Sequence, residues 1–251
     1  MTRRLRLLLF AGGAAATGLL LVLGVLGLPH FGSSFHPYRD LAVPAAVAHK
    51  TANVVSSINF DLRGLDTLGE ETILLASVVG AAVLLRAADD EGETRPLARG
   101  RTLDSTRLVG YLLLPITMLI GLDTVVHGAL TPGGGFQGGV VLGTGIHLLY
   151  VAGSYRALQR VGPLEVFEYG EALGTGAFTC VGIAGLLAGT GFLGNLLPKG
   201  AFGSLLSSGS VLLLSAAVGV EVASGVVVLL ASFLRQALRV SKDSVSKGGA
   251  E

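Results

Sequence analysis

Six long apolar segments constrain this chain more than any other feature of its sequence. A transmembrane helix needs about 20 mostly apolar residues, because the hydrocarbon layer is about 30 Å thick and a helix rises about 1.5 Å per residue. Six segments reach or approach that length, the second and fourth only with flanking residues: 7–28, 72–85, 108–126, 140–154, 172–190 and 210–234. Only 14% of the residues are charged, against about 25% in soluble proteins. The sequence therefore predicts an all-α, polytopic membrane protein with about six transmembrane helices.

The positive charges of the connecting segments predict how these helices are oriented. If the N-terminus is cytoplasmic, only four of the 18 Lys and Arg residues fall outside the cell, namely Arg39, Lys50, Arg63 and Lys199. This asymmetry follows the positive-inside rule. The first apolar segment is too long for a signal peptide and has no small-residue cleavage site after it, so we interpret it as an uncleaved span. We expect both termini in the cytoplasm and a location in the plasma membrane.

The charged segment between the second and third spans divides the chain. We predict a two-span part at 1–88, a cytoplasmic linker at 89–106, a four-span domain at 107–239 and a polar tail at 240–251. Apolar residues recur between polar ones over residues 41–60, which indicates a helix on the membrane surface. The two parts show no internal repeat, so an inverted-repeat transporter is not supported.

Several function classes are excluded by composition and motifs. The 18 basic residues face 17 acidic ones, so no basic field exists that would bind nucleic acid. The single cysteine, Cys180, has no partner for a disulfide or a cysteine metal site, and its apolar surroundings predict a buried thiol. The sequence has no Walker A, G-x-S-x-G or H-E-x-x-H motif. We therefore expect no cofactor, no metal site and no catalysis by this chain alone.

Four ionisable residues in or near the spans are candidates for a proton or ion path. Glu221 lies near the middle of the sixth span, where a charge costs at least about 2.5 to 3.5 kcal/mol, so such residues usually face protein or water and often act in transport. His147 lies in the fourth span. Asp123 and His127 are four residues apart, on one face at the end of the third span. Each has a plainer interpretation as well: a neutral carboxyl that serves packing, an interhelical hydrogen bond and a polar helix end.

A glycine-rich run joins the third and fourth spans. It contains Pro132, Gly133, Gly134, Gly135, Phe136, Gly138 and Gly139. Proline removes a hydrogen-bond donor and each glycine costs about 1 kcal/mol in a helix, so we predict a loop. Its backbone would either pack tightly against another helix, in which case Gly134→Leu should impair assembly, or line a polar cavity at the membrane edge. Gly143 and Gly145 predict close helix packing.

The same run resembles a known family signature. Residues 127–139, HGALTPGGGFQGG, resemble the motif of the B subunit of Mrp-type multisubunit sodium/proton antiporters, the MnhB family, which is shared with the matching subunit of membrane-bound hydrogenases. Residues 219–225, GVEVASG, resemble a Gly-Leu-Glu-Val element of part of that family. The resemblance covers about residues 107–239.

A second resemblance lies upstream. After Asn53, residues 60–70, FDLRGLDTLGE, are similar to an element near the C-terminal end of the antiporter A subunit, which is a separate small subunit in hydrogenase complexes. Leu62 and Leu65 replace the usual phenylalanines. The matching positions are Asp61, Arg63, Gly64, Asp66, Thr67, Gly69 and Glu70. By charge alone they form either a solvated run or a set in which Arg63 pairs with a carboxylate and Glu70 offsets the dipole at the head of the second span.

Together the two resemblances imply a function in a complex. They imply an integral subunit of a cation/proton antiport module, free-standing or linked to a hydrogenase-type complex. Its partners would be the other subunits, the lipid bilayer, protons and sodium ions. The large subunits of that family carry the main proton channels, so this chain would not suffice for transport. A purely structural scaffold and a self-sufficient transporter remain the alternatives.

Overall fold

The computed structural model describes residues 3–28, 32, 34–85, 103–152 and 162–247, with side chains up to 233 except at 151. These residues contain helices and turns and no strand. Residues 89–102 of the linker predicted at 89–106 lie outside the described residues. The chain divides into two units, Met1–Leu41 and Ala42–Glu251.

The first unit consists mainly of one long apolar helix. Helix α1 (Arg3–Leu26) has 24 residues, and none of them is buried. Its mean hydropathy of 2.2 over the most apolar stretch makes it a candidate span. It corresponds to the first span that the sequence predicts.

The second unit contains the remaining helices and begins inside α2. In chain order the helices are α2 (Pro37–Ala48), α3 (Val54–Ser57), a π-helical turn (Ile58–Leu62), α4 (Gly64–Leu84), α5 (Asp104–Val126), α6 (Gly135–Ala152), α7 (Leu164–Leu187) and α8 (Val211–Lys247). Helix α8 packs against α4, α5, α6 and α7. In its most apolar stretch 67% of the residues are buried, against 17% in α4 and in α5. Helix α8 is therefore the central helix of a bundle.

Five described helices are long and apolar enough to cross a membrane: Arg3–Leu26, Gly64–Leu84, Asp104–Val126, Leu164–Leu187 and Val211–Phe233. Helix α6, which corresponds to the fourth predicted span, has 18 described residues and would extend over about 27 Å. The second and fifth spans begin earlier than the sequence predicts, at Gly64 and Leu164 rather than at 72 and 172. Helix α8 continues to Lys247, through the segment predicted as a polar tail.

The surface helix predicted at 41–60 is broken. Helix α2 ends at Ala48, and Lys50 adopts a left-handed backbone with φ of 60° before the chain enters α3. The side chain of Asn53 caps α3 by accepting from the backbone N–H groups of Val55 and Ser56. Its amide group donates to the carbonyl oxygens of Gly128 and Thr131, at 2.8 and 2.9 Å. The prediction of one continuous helix was wrong because a capped turn fastens this segment to the end of α5.

An aromatic and aliphatic core lies under that segment. Phe60 and Phe178 are buried with ring centroids 6.2 Å apart. They pack with Leu193, Leu214 and Val218. This cluster connects the π-helical turn with α7 and α8. We call this end of the bundle, where α4 and α8 begin and α5 and α7 end, the loop end.

The prediction of a buried thiol was also wrong. Cys180 is exposed on the surface of α7. The face of α7 that contacts its neighbours contains Glu171, Gly174, Phe178 and Gly182. Position 180 lies two residues from Phe178, and a helix turns about 100° per residue, so the thiol points away from that face.

Candidate functional site

Three glutamates are buried inside the bundle, one on each of three neighbouring helices. Glu71 of α4, Glu171 of α7 and Glu221 of α8 are 0%, 2% and 0% exposed. Charged residues are rarely fully buried unless they are paired, and a carboxylate that leaves water without a partner is strongly disfavoured. Sequence reasoning found Glu221 and missed Glu71 and Glu171.

Glu71 and Glu221 form a pair. Their carboxyl groups lie within hydrogen-bonding reach of each other. The Thr175 hydroxyl lies near Glu221, but among the residues that the structure describes no donor makes a well-aligned hydrogen bond to either carboxyl. Two facing carboxylates repel each other, whereas one shared proton converts the contact into a hydrogen bond. The geometry of the pair therefore suits the binding of a proton.

Glu171 extends the line of carboxyl groups away from the loop end. It interacts electrostatically with Glu221. The hydroxyl of Thr175, which lies near Glu221, donates to the backbone carbonyl of Glu171 at 3.2 Å. Measured along the helices from the loop end, Glu71, Glu221 and Glu171 lie at depths of about 10, 15 and 24 Å.

Close helix packing encloses these acids. A Cβ atom at Gly174 would lie 2.6 Å from the Cβ of Glu221, and one at Gly225 would lie 3.1 Å from an Oε atom of Glu171. Such approaches are possible only where a helix lacks a side chain.

His147 lies on a different side of α8 from Glu221. Its half-buried imidazole faces the backbone carbonyl of Val226. Its Nε2 atom is buried and has no hydrogen-bond partner among the described residues. His147 thus lies against α8, and the structure does not bring it to the carboxyl pair.

The side chains of Asp123 and His127 are in contact at the end of α5. His127 Nδ1 lies 2.9 Å from an Oδ atom of Asp123, and the two side chains are 39% and 71% exposed. The pair is on the surface of the bundle, apart from the buried glutamates.

The glycine run is only partly a loop. Gly133 and Gly134 have φ values of 141° and 135°, which favour glycine, and α6 begins at Gly135. Phe136, Gly138 and Gly139 are therefore helical, because α8 and α5 stabilise the first turns of α6 by packing on them. Gly138 packs on Gly121 and Val125 of α5.

A stripe of glycines along α6 faces α8. A Cβ at Gly135 would overlap the carbonyl oxygen of Ser215, one at Gly139 would lie 2.9 Å from the carbonyl oxygen of Gly219, and one at Gly143 would lie 2.9 Å from Val226. At Gly134 the nearest atom would be 3.7 Å away. Within the chain the constraint on Gly134 is therefore mainly its backbone conformation, and the effect of Gly134→Leu on assembly stays a prediction.

The motif that resembles the antiporter A subunit forms the start of α4. Thr67 donates to the carbonyl oxygen of Asn59 at 2.7 Å, and Gly64 packs on Leu193. Arg63 pairs with Asp66, and both are exposed. Because α4 begins at Gly64, the exposed Glu70 lies in the second turn of the helix. The acidic residue in the first turn of α4 is Asp66. Gly69 has open space around it.

Asp61 ties this motif to two other segments. Its side chain is 2% exposed and lies 3.3 Å from His49 Nδ1. The amide group of Asn195, in the loop after α7, donates to it at 2.9 Å. Burial raises the pKa of Asp61, while His49, Asn195 and Lys199 oppose the rise. No three His, Cys, Asp or Glu side chains of the described residues come together as metal ligands.

Comparison with known proteins agrees with this architecture. Residues 105–228 match the model of a domain related to the MnhB subunit of Na+/H+ antiporters. An uncharacterised protein of Methanocaldococcus jannaschii is 29% identical over 216 residues, which are 78% of this chain and 81% of that protein. A Rhizobium meliloti protein described as a probable A/B subunit of a K(+)/H(+) antiporter is 28% identical over 201 residues, 69% of this chain. That match spans only 19% of the Rhizobium protein.

Two solved membrane complexes contain chains with a similar fold. A chain of the archaeal membrane-bound sulfane sulfur reductase superposes with a TM-score of 0.70 at 27% identity, over 92% of this chain and 98% of that chain. A chain of the Mrp complex from a Dietzia species has the same fold, with a TM-score of 0.66 at 24% identity, over 92% of this chain and 26% of that one. The chain is thus a multi-pass membrane subunit of the Mrp-type antiporter and respiratory complex family, with an MnhB-type domain at residues 105–228.

Proposed function

We propose that this chain serves sodium/proton exchange as one subunit of an Mrp-like complex, in which Glu71, Glu221 and Glu171 carry protons. The observation that supports the proposal most is the buried contact between the carboxyls of Glu71 and Glu221. A carboxyl that is buried for packing alone would normally be hydrogen-bonded by a neighbouring donor. Here the groups beside Glu221 are a second carboxyl and the Thr175 hydroxyl, which donates to the backbone carbonyl of Glu171, and two facing carboxyls suit proton exchange.

The placement of the acids adds to this support. They lie at successive depths on three helices that contact one another. Ionisable residues inside a membrane are costly, and proton relays built of Asp, Glu and His are a common reason for their presence. The same proposal includes four points that rest on the sequence. Both termini are in the cytoplasm, and the chain lies in the plasma membrane. The chain has two parts, at 1–88 and 107–239, and its complex is coupled to a redox complex.

The experiment compares conservative variants in membranes that contain the whole complex. Glu221→Gln and Glu71→Gln keep the shape of the side chain and remove the titrating proton. We expect each to reduce pH-gradient-driven cation transport strongly while the subunits still purify together. Glu165→Gln is the matched control, because Glu165 is an exposed acid at the start of α7.

The outcomes separate the proposal from its alternatives. Normal transport by Glu221→Gln over a range of pH would make Glu221 a packing residue. Loss of assembly in both Glu221→Gln and Glu71→Gln would favour a structural scaffold. Cation transport by the purified chain alone in liposomes would indicate a self-sufficient transporter.

A further inference from the structure

A cavity of about 490 Å³ lies at the loop end, beside the buried carboxyl pair. The segment from Ser56 to Phe60 and one side of α4 form one wall, and residues 133–137 at the start of α6 form the other. At about 30 Å³ per molecule this volume would hold on the order of fifteen waters. The cavity is thus large enough for an aqueous space.

The inner wall contains polar atoms that need a partner. Ser56 is 2% exposed and Glu71 is 0% exposed, and both line the cavity. Within the described ranges the hydroxyl of Ser56 has no hydrogen-bond partner, and the carboxyl oxygens of Glu71 have none besides the facing carboxyl of Glu221. Buried polar atoms in proteins are nearly always satisfied, by water where protein offers no partner. A polar cavity of this size would supply that water.

The rim of the cavity is polar as well. Asn59, Glu70 and Gln137 are exposed and line it. Among the lining residues there is no Lys, Arg or His, whereas two are glutamates. A wall of this composition attracts water and positive charge and does not attract anions.

Two glycines of the described residues pack closely against the other two acids. Gly174 of α7 contacts Glu221, and Gly225 of α8 contacts Glu171. Glu71 alone of the three acids lines the cavity.

We propose that this cavity is an aqueous entrance through which the Glu71–Glu221 pair exchanges protons with water at the loop end. A hydronium ion in the cavity gives its proton to the Glu71 carboxylate and leaves a neutral water and a carboxylic acid. The acid then shares that proton with Glu221. The assignment rests on the function proposed above and adds to it the side from which protons arrive.

Thiol accessibility tests the entrance independently of transport. In the full complex, with the native cysteine removed as Cys180→Ser, we compare Ser56→Cys with Ser57→Cys. Ser57 is the matched control, since it is adjacent, equally buried and directed at Asp61 at 3.5 Å rather than at the cavity. A small cationic methanethiosulfonate reagent, added from the loop side, should modify Ser56→Cys about tenfold faster or more than Ser57→Cys, because reaction follows exposure of the thiol to water. Labelling after denaturation shows that both thiols are present.

The possible outcomes keep the entrance and the proton path distinguishable. Equal labelling rates for the two variants in the assembled complex would overturn the entrance, whatever the transport result. If Ser56→Cys fails to assemble, Ser77→Cys on the α4 wall replaces it, and absence of labelling there overturns the proposal too. Fast labelling of Ser56→Cys in a Glu221→Gln background that transports normally would keep the entrance and reject the proton path.

Discussion

A methyl group at position 174 is expected to force α7 and α8 apart. A Cβ atom there would lie 2.6 Å from the Cβ of Glu221, 2.7 Å from the carbonyl oxygen of Ala217 and 2.8 Å from the backbone nitrogen of Glu221. Carbon atoms in well-packed interiors keep about 3.5 to 4.0 Å, so the new contact is roughly 1 Å too short. Two of the three neighbours are backbone atoms, which cannot rotate away.

A control variant on the same helix allows the free-energy cost of this overpacking to be measured. Overpacking of this kind costs about 1 to 3 kcal/mol. Gly176 has no atom within 4 Å of its hypothetical Cβ, so Gly176→Ala adds a methyl group without a clash. Both variants share the gain in helix propensity, which is up to about 1 kcal/mol in water. The difference in unfolding free energy between the two variants therefore isolates the packing cost.

The assay is thermal or denaturant unfolding of the purified chain in detergent. Gly174→Ala should unfold at a lower midpoint than Gly176→Ala, which should match or slightly exceed the unmodified chain. In the assembled complex Gly174→Ala should also reduce transport, because the displaced helix carries Glu221. Equal stability of the two variants would refute the close contact between α7 and α8 on which this reasoning depends.

Three further predictions concern orientation, pH and the loop end. With Cys180→Ser as background, Gly203→Cys should react with an impermeant reagent from outside intact cells and Gly162→Cys should not; the opposite pattern would reverse the orientation. Because burial raises the pKa of Asp61, its stabilising contribution is present below its ordinary pKa and is lost as pH rises through the raised value. Asp61→Asn should remove that pH-dependent loss from the thermal midpoint, and an unchanged pH profile would contradict the reasoning. Asn53→Ala removes two hydrogen bonds to carbonyl oxygens and should lower the unfolding free energy by about 1 to 3 kcal/mol, whereas an unchanged midpoint would mean that water replaces the amide.

The sequence predicts the helical fold and the family motif well, because both depend on local patterns. The length of the apolar runs is set by the thickness of the bilayer. In the glycine-rich run, backbone conformation requires glycine at 133 and 134, and close contacts require it at 135, 138 and 139. The boundaries of the spans are predicted less well. From the apolar residues alone, the second and fifth spans are predicted to begin at 72 and 172. The helices begin at Gly64 and Leu164.

Those boundaries explain why the carboxyl site was found only in part. Glu71 and Glu171 each lie one residue outside the predicted spans, because a search for apolar residues ends a span at the first charge. Backbone hydrogen bonding does not end there, so both acids lie in the second turn of a membrane helix. Glu221 was recognised because apolar residues flank it on both sides. The signal that could have found the other two is a glutamate preceding an apolar run by one residue, at two places in the chain.

The contact between Glu71 and Glu221 depends on tertiary packing, which no local pattern encodes. Glycines make that packing possible, since Gly174 contacts Glu221 directly and Gly225 contacts Glu171. Close approach of the helices excludes water from Glu221 and Glu171, and a buried acid without water needs another acid or a proton as its partner. The small residues that hold the bundle together therefore also set the protonation chemistry inside it. For this reason a substitution that carries no charge, Gly174→Ala, is expected to alter proton transfer as well as stability.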